Sequence, residues 1–286
     1  MRGIILSGGM GTRLYPATKV ISKQLLPVYD RPMVYYPLAT LMSAGLREVL
    51  LITTVRDLPM YQALLGDGEQ FGITLQYKTQ EKAGGIAEAL LLGEDFVGDE
   101  PFVLILGDNL FFGENMGEKT ADALRRAQTG TSTVFGYPVD DPCRFGVAEF
   151  GRDGKLLSIE EKPKRPKSQY AVVGLYVYAN PMLNMAKRLQ PSPRGELEIT
   201  DLNNLCLKDG ALEMQLLDNG TVWYDTGTAD SLLEAGLLCR RKKLKTASYA
   251  PHRKKLPFGT DGLLTAPIRR RRFDLSCHRR RRVYRL

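Results

Sequence analysis

The chain has 286 residues, 43% of them hydrophobic and 25% charged, enough for one large α/β domain or two modest ones. That balance excludes a collagen-like, wholly disordered or disulfide-scaffold chain, and no apolar run approaches the roughly 18 residues that span a bilayer. The net charge of +8 is uneven: residues 237–286 carry 17 Lys and Arg against 2 Asp and Glu, and residues 1–236 carry 23 against 30, so a body of −7 bears a tail of +15.

In chain order, Arg2–Leu6 is a short apolar run ending in a glycine loop, which predicts a strand and a turn. Pro32–Ala44 predicts a buried helix stopped at Gly45. Val49–Thr54 and Ile73–Lys78 predict strands, and Gly85–Phe96 has helical spacing. Phe102–Leu106 reads as a central buried strand ending in Gly107-Asp108-Asn109. Alternating strands and helices imply a Rossmann-like α/β fold, three layers deep, with a mixed, mainly parallel sheet. Ligands of such sheets sit at the carboxyl ends of strands, so the loops after Leu6 and Leu106 are the places to look.

From about Thr131 the pattern changes, which divides the body into a part over about 1–130 and a second part over about 131–238. Thr133–Val139, Phe145–Phe150, Lys155–Glu161 and Ala171–Tyr178 predict strands, with a hairpin turn at 151–154. Helices are expected over Pro181–Leu189 and Glu198–Lys208, strands over Leu212–Leu217 and Thr221–Tyr224, and a helix over Ala229–Leu238 near Thr228 or Asp230. Residues 239–286 read as a basic, disordered tail, because Arg269–Arg272 and Arg279–Arg282 are like-charge blocks that resist packing.

Both histidines, His252 and His278, lie in the tail. The body therefore has no Ser–His or Cys–His nucleophile, no histidine base and no histidine metal ligand. Four scattered cysteines form no CxxC pair, and the N-terminus is not a secretory signal, so a reducing cytoplasm is the expected setting.

The strongest signal is the run from Leu6 to Pro16, LSGGMGTRLYP, followed by Ser22-Lys23-Gln24-Leu25-Leu26-Pro27. Glycines directly after a first strand let backbone N–H groups approach a phosphate, while Arg13 and Lys23 supply cations for its oxygens. The spacing is neither a P-loop nor the dinucleotide GxGxxG. GGxGTRLxP followed by KxLLP resembles the signature of the sugar-1-phosphate nucleotidylyltransferases. Its extended form, SKQLLPVYDRPMVYYP, is similar to the branch that transfers a thymidylyl group to glucose 1-phosphate. The resemblance continues in order through LGDG at 65–68, LGDN at 106–109, SIEEKP at 158–163, GLY at 174–176, RGELEITD at 194–201 and WYDTGT at 223–228.

That resemblance implies condensation of dTTP with glucose 1-phosphate, giving dTDP-glucose and pyrophosphate in one Mg²⁺-dependent in-line displacement. In this family the product supplies dTDP-rhamnose and polysaccharide synthesis. Asp108 and Asp225 match the metal-binding aspartates. Arg13 and Lys23 match the groups that neutralise the triphosphate, and Lys162 the lysine on the sugar-linked phosphate. Leu6, Gly8, Gly9, Gly11, Thr12, Gln24, Gln80 and Gly85 match nucleotide-binding positions, Gln80 and Gly85 reading the thymine edge. Gly146, Glu161, Val172 and Arg194 match positions around the sugar phosphate. A homo-oligomer, typically a tetramer, is implied, with no membrane partner and no nucleic acid.

Several positions depart from the family. The base-reading segment, usually QPxPxGLAQA, is QEKAGGIAEA at 80–89, without the two prolines. Phe145 stands for a usual Tyr and Val173 for a usual Thr, and the lost hydroxyls are expected to weaken sugar affinity or selectivity. The resemblance stops after SLLEA at 231–235, where family members continue with helices and a CPEEIA(F/Y)R-like stretch. The arginine-rich replacement reads as a frame-shifted C-terminus, which is expected to weaken assembly. The alternatives are a UTP-using enzyme, a catalytically silent homologue and a basic arm for nucleic acid.

Overall fold

The computed structural model describes residues 1–248 other than Met10 and Ala83. It opens with β1 (Arg2–Ser7), whose apolar run is almost entirely buried, followed by the glycine loop. A two-residue ribbon, β2 (Pro27–Val28) with β3 (Arg31–Pro32), precedes α1 (Tyr35–Ser43). The expected helix thus starts three residues late, because Pro32 pairs with Pro27. Next come β4 (Glu48–Thr53), α2 (Leu58–Leu65) and β5 (Thr74–Thr79).

The helix expected over Gly85–Phe96 is two pieces, α3 (Glu88–Leu92) and α4 (Glu94–Val97), joined at Gly93. A Cβ on Gly93 would lie 2.5 Å from Ile4 Cδ1, so the break brings the backbone hard against β1. Then follow β6 (Phe102–Leu106), β7 (Asn109–Phe112), α5 (Met116–Gln128) and β8 (Ser132–Pro138). The second half holds β9 (Gly146–Phe150), β10 (Leu156–Glu161), β11 (Tyr170–Tyr178), α6 (Met182–Ala186) and α7 (Ile199–Lys208). It ends with β12 (Leu212–Leu216), β13 (Val222–Asp225) and α8 (Ala229–Ser248). The helices α2 and α5 and the strand β7 are additions to the elements expected from sequence.

The strands β5, β4, β1 and β6 are parallel neighbours, and β8 and β12 form a further parallel pair. Between β6 and β8 lies β11, antiparallel to both, with the β9–β10 hairpin attached at its start. The sheet is therefore mixed and mainly parallel, as expected. Side-chain alternation sorts its two faces. Ile4, Leu6, Leu50, Ile52, Phe102 and Leu104 face α3, α4, α6 and α7 in one core. Helices α1 and α5 pack on the opposite side, completing three layers. Truncating a fully buried core leucine such as Leu104 would cost about 2–5 kcal/mol.

The last helix begins where expected: Ser231 N–H donates to Thr228 Oγ1 at 3.2 Å, and Thr228 N–H donates to Ser231 Oγ at 3.1 Å. It does not stop at Leu238, as the composition suggested, but continues through Cys239 to Ser248. Cys239 joins a small core of Val28, Met33, Leu110 and Ala235, and its Sγ lies 3.1 Å from Tyr36 Oη. Lys242 lies over the Phe112 ring, and Lys243 covers the Tyr29 ring while pairing with Asp30. Each ammonium lies over an aromatic face, and that of Lys243 also meets the Asp30 carboxylate. Residues 249–286, most of the tail expected to be disordered, lie outside the described residues. No helix among the described residues is long and apolar enough to cross a membrane.

Candidate active site

The glycine loop leaves β1 at its carboxyl end. Gly11 has a φ of 60°, and a Cβ there would meet Lys23 Cβ at 3.0 Å and Thr18 Cγ2 at 3.1 Å. Only glycine fits both the conformation and the space. Thr18 Oγ1 donates to the Gly11 carbonyl at 2.7 Å, pinning the turn that carries Thr12 and Arg13. Leu6 lies within β1 with its side chain in the core, and Gly8 and Gly9 begin the loop.

Lys23 begins a short 3₁₀ turn and is 6% exposed. Its ammonium donates to Asp108 Oδ2 at 2.6 Å and lies 4.0 Å from Asp225 Oδ1. Burial and the nearby charge of Asp108 push the Asp225 carboxyl above its usual range, against the pull of Lys23, Arg13 and Arg144. Burial acts the same way on Asp108, but the Lys23 ammonium and the Asn109 amide outweigh it and hold that carboxyl low. Arg13 lies beside this group, its Nη1 3.3 Å from where a Gly227 Cβ would be. Asp108 and Asp225 present two carboxylates to one place, with Lys23, Arg13 and Arg144 around them. Magnesium takes one or two protein carboxylates and fills its remaining positions with phosphate oxygens and water, so Asp108 and Asp225 have the right donor set.

The two aspartates meet because β7 pairs with β13, setting Asn109 opposite Asp225. Asn109 is a brace that sequence reasoning did not single out. Its Nδ2 donates to Asp108 Oδ1 at 3.0 Å, and its Oδ1 accepts from Trp223 Nε1 at 2.7 Å and Gly174 N–H at 2.9 Å. Room for it comes from a bulge in β11, where the pairing with β8 shifts between Val172 and Tyr176. A Cβ on Gly174 would lie 2.7 Å from Asn109 Cγ. Thr226 adds a hydrogen bond to the Asp108 carbonyl at 2.8 Å. The signal in the sequence was the pairing of the LGDN and WYDTGT blocks.

A second group gathers around the β9–β10 hairpin. Gly146 is opposite Glu161, whose Oε2 accepts from Thr200 Oγ1 at 2.7 Å. Lys162 has a φ of 47°, and its Nζ lies 2.9 Å from Glu161 Oε1. Its N–H donates to the Phe145 carbonyl at 2.9 Å. The Phe145 ring stands edge-on to Trp223 at 5.2 Å, and Arg144 Nη2 is 3.6 Å from Asp225 Oδ2. The turn at 142–145 thus ties the two groups together. Arg144, a lone arginine in a short turn, carried no pattern that sequence reading could use. Val172 is half-buried on β11, but Val173 is wholly buried, so the hydroxyl absent there concerns packing. Arg194 stands apart from the aspartates: its guanidinium grips Glu198 at 2.8 and 2.9 Å and lies 3.9 Å from Glu161.

Gln24 and Gln80 flank the glycine loop. Ser22 Oγ donates to Gln24 Oε1 at 2.9 Å and lies 2.9 Å from Tyr61 Oη. Gln80 donates from Nε2 to the Gly85 carbonyl at 3.3 Å and to Glu88. Gly85 has a φ of 96°, and a Cβ on it would overlap the Leu197 backbone.

The model of the nucleotidyl transferase family matches residues 2–241. A glucose-1-phosphate thymidylyltransferase of Neisseria gonorrhoeae is 55% identical over 235 residues, covering 82% of this chain and 81% of that one. The enzyme of that name from Mycolicibacterium smegmatis is 50% identical over 246 residues, covering 86% and 84%. The chain belongs to the glucose-1-phosphate thymidylyltransferase family of nucleotidyl transferases. A solved structure described as a member of that family, from Bacillus anthracis, superposes with a TM-score of 0.77 at 45% identity, covering 84% of this chain and 95% of the other. A UDP-glucose pyrophosphorylase is 23% identical with a TM-score of 0.74, a likeness of fold alone.

Proposed function

We infer that the protein transfers a thymidylyl group from dTTP to α-D-glucose 1-phosphate, giving dTDP-glucose and pyrophosphate. The observation that carries this reading is the Lys23–Asp108–Asp225 cluster beside the glycine loop, in a chain about half identical to enzymes of that name. The sugar phosphate is mostly a dianion at pH 7, because the second pKa of such monoesters is about 6. It needs no general base, which agrees with a body free of histidine. One of its phosphate oxygens attacks the α-phosphorus of dTTP. A P–O bond forms as the bond to the bridging oxygen breaks, and the electron pair leaves with pyrophosphate.

Catalysis is then positioning plus charge stabilisation. The glycine loop and Thr12 hold the triphosphate, with Arg13 and Lys23 as its cations. Gln24, Gln80 and Gly85 take the nucleoside. Lys162 and Arg194 hold the phosphate of the sugar, and Glu161, Gly146 and Val172 line its ring. Magnesium, held by Asp108 and Asp225, supplies charge neutralisation on the phosphates when bound. In this reading residues 1–130 serve the nucleotide and 131–238 the sugar. The enzyme works in the cytoplasm as a homo-oligomer that the atypical C-terminus weakens. The test is pyrophosphate release from dTTP, UTP or CTP with glucose 1-phosphate and Mg²⁺. Release with dTTP supports the reading, and no release with any nucleotide overturns it.

A further inference from the structure

Gln80 follows β5 directly, its N–H donating to the Thr53 carbonyl at 2.8 Å, and only 8% of it is exposed. An amide in such a place has two orientations, which exchange a donor for an acceptor. Here both Nε2 hydrogens are spent on groups that only accept, the Gly85 carbonyl at 3.3 Å and the Glu88 carboxylate. The reverse orientation would set Oε1 against those same two acceptors. Oε1 therefore faces the glycine loop, 3.0 Å from where a Gly8 Cβ would stand, and accepts from no group among the described residues.

The surroundings are shaped to keep Glu88 in reach. A Cβ on Gly84 would overlap the Glu88 carboxylate. The Gly84 carbonyl accepts from Leu197 N–H at 2.8 Å, and Ala87 N–H donates to the Leu197 carbonyl at 3.2 Å, so the loop that carries the Gly85 carbonyl is fixed. Glu88 stands at the first turn of α3 with no other hydrogen-bonding partner among the described residues.

We propose that Glu88 is a positioning residue that locks the Gln80 amide with Oε1 toward the nucleobase, so that the pocket selects a pyrimidine bearing an N3–H over cytosine. This rests on the reading that Gln80 faces the base. Thymine and uracil carry a hydrogen on N3 and can donate to Oε1. Cytosine offers a bare N3 acceptor, and a carbonyl facing it leaves two acceptors opposed. A carboxylate makes the lock firm because it cannot donate and its hydrogen bonds are charge-assisted.

The test is the binding of dTTP and dCTP, each measured by titration calorimetry without sugar phosphate, to the wild type, Glu88→Gln and Glu88→Ala. Binding is read without turnover, so an enzyme that fails to release pyrophosphate counts against the proposed function and not against this lock. The wild type should prefer dTTP. Glu88→Ala frees the amide to turn and should reduce the preference about tenfold to a hundredfold, mainly through tighter dCTP binding. Glu88→Gln keeps a carbonyl that can accept from Gln80 Nε2, and Gln stands at this place in the family segment, so it should keep most of the preference that Glu88→Ala loses. A purely structural role would weaken both nucleotides equally. An unchanged ratio in Glu88→Ala, a Glu88→Gln that loses as much as Glu88→Ala, or a wild type that binds the two nucleotides alike overturns the proposal.

Discussion

Replacing Lys23 with methionine keeps a long apolar stem and removes the one ammonium between Asp108 and Asp225. The hydrogen bond lost is charge-assisted and 2.6 Å long, a class worth about 1.5–3 kcal/mol. Stranding a fully buried partner costs about 3–5 kcal/mol, but the aspartate side chains keep 24% and 19% of their exposure, which favours the lower end. A net loss of about 2–3 kcal/mol follows. At roughly 2–4 °C per kcal/mol for a body of this size, the ligand-free protein should melt roughly 4–12 °C lower.

The loss should depend on pH. Without Lys23 the Asp225 carboxyl, already raised by burial and by Asp108, rises further. A raised carboxyl binds its proton more tightly when folded, so the folded state regains ground as pH falls toward that value. The deficit of Lys23→Met should therefore be larger at pH 7.5 than at pH 5, and magnesium should reduce it at pH 7.5. Differential scanning calorimetry at both pH values reads all three effects. A variant melting within a degree of the wild type at pH 7.5, or a deficit unchanged at pH 5, would refute the charge argument.

Asp108→Asn should lower kcat about 100- to 1,000-fold with the fold intact, checked by steady-state pyrophosphate release beside circular dichroism. Gly85→Ala meets both a φ of 96° and the Leu197 backbone, so it should lose at least about 1–3 kcal/mol in urea melts; an unaltered midpoint would show that the loop yields. Trp223→Phe removes the donor to Asn109 Oδ1 and should raise the magnesium concentration needed for half-maximal activity several-fold, with less effect on the KM for dTTP. Asp30 is drawn down to about 2 by its hydrogen bond with Arg31, aided by Lys243 on α8. Its stabilisation is present above its ordinary value near 4 and disappears as pH falls to about 2, so the stability difference between wild type and Asp30→Asn should shrink from pH 5 to pH 3.

What the sequence disclosed follows from how local each signal is. Continuous apolar runs such as Phe102–Leu106 mark central strands because burial on both faces leaves no alternation to misread. The glycine loop and the aspartates sit at strand ends, where chain order alone puts ligands. The strand β7 was hidden because Asn109 follows a Gly-Asp turn and its partner among the described residues is the distant β13. The break at Gly93 depends on Ile4, and the persistence of α8 depends on Tyr29, Asp30 and Phe112 under its basic residues. No pattern within one segment encodes those contacts. The roles of Asn109, Arg144 and Glu88 were illegible for the same reason: each acts through a partner supplied by another element or by a turn.

The most direct test of the central claim is phosphorus NMR of the protein with dTTP, glucose 1-phosphate and Mg²⁺. dTDP-glucose and pyrophosphate should appear in equal amounts, only when both substrates are present, and be nearly absent with Asp108→Asn. Pyrophosphate formed without glucose 1-phosphate, or undiminished turnover by Asp108→Asn, would contradict it.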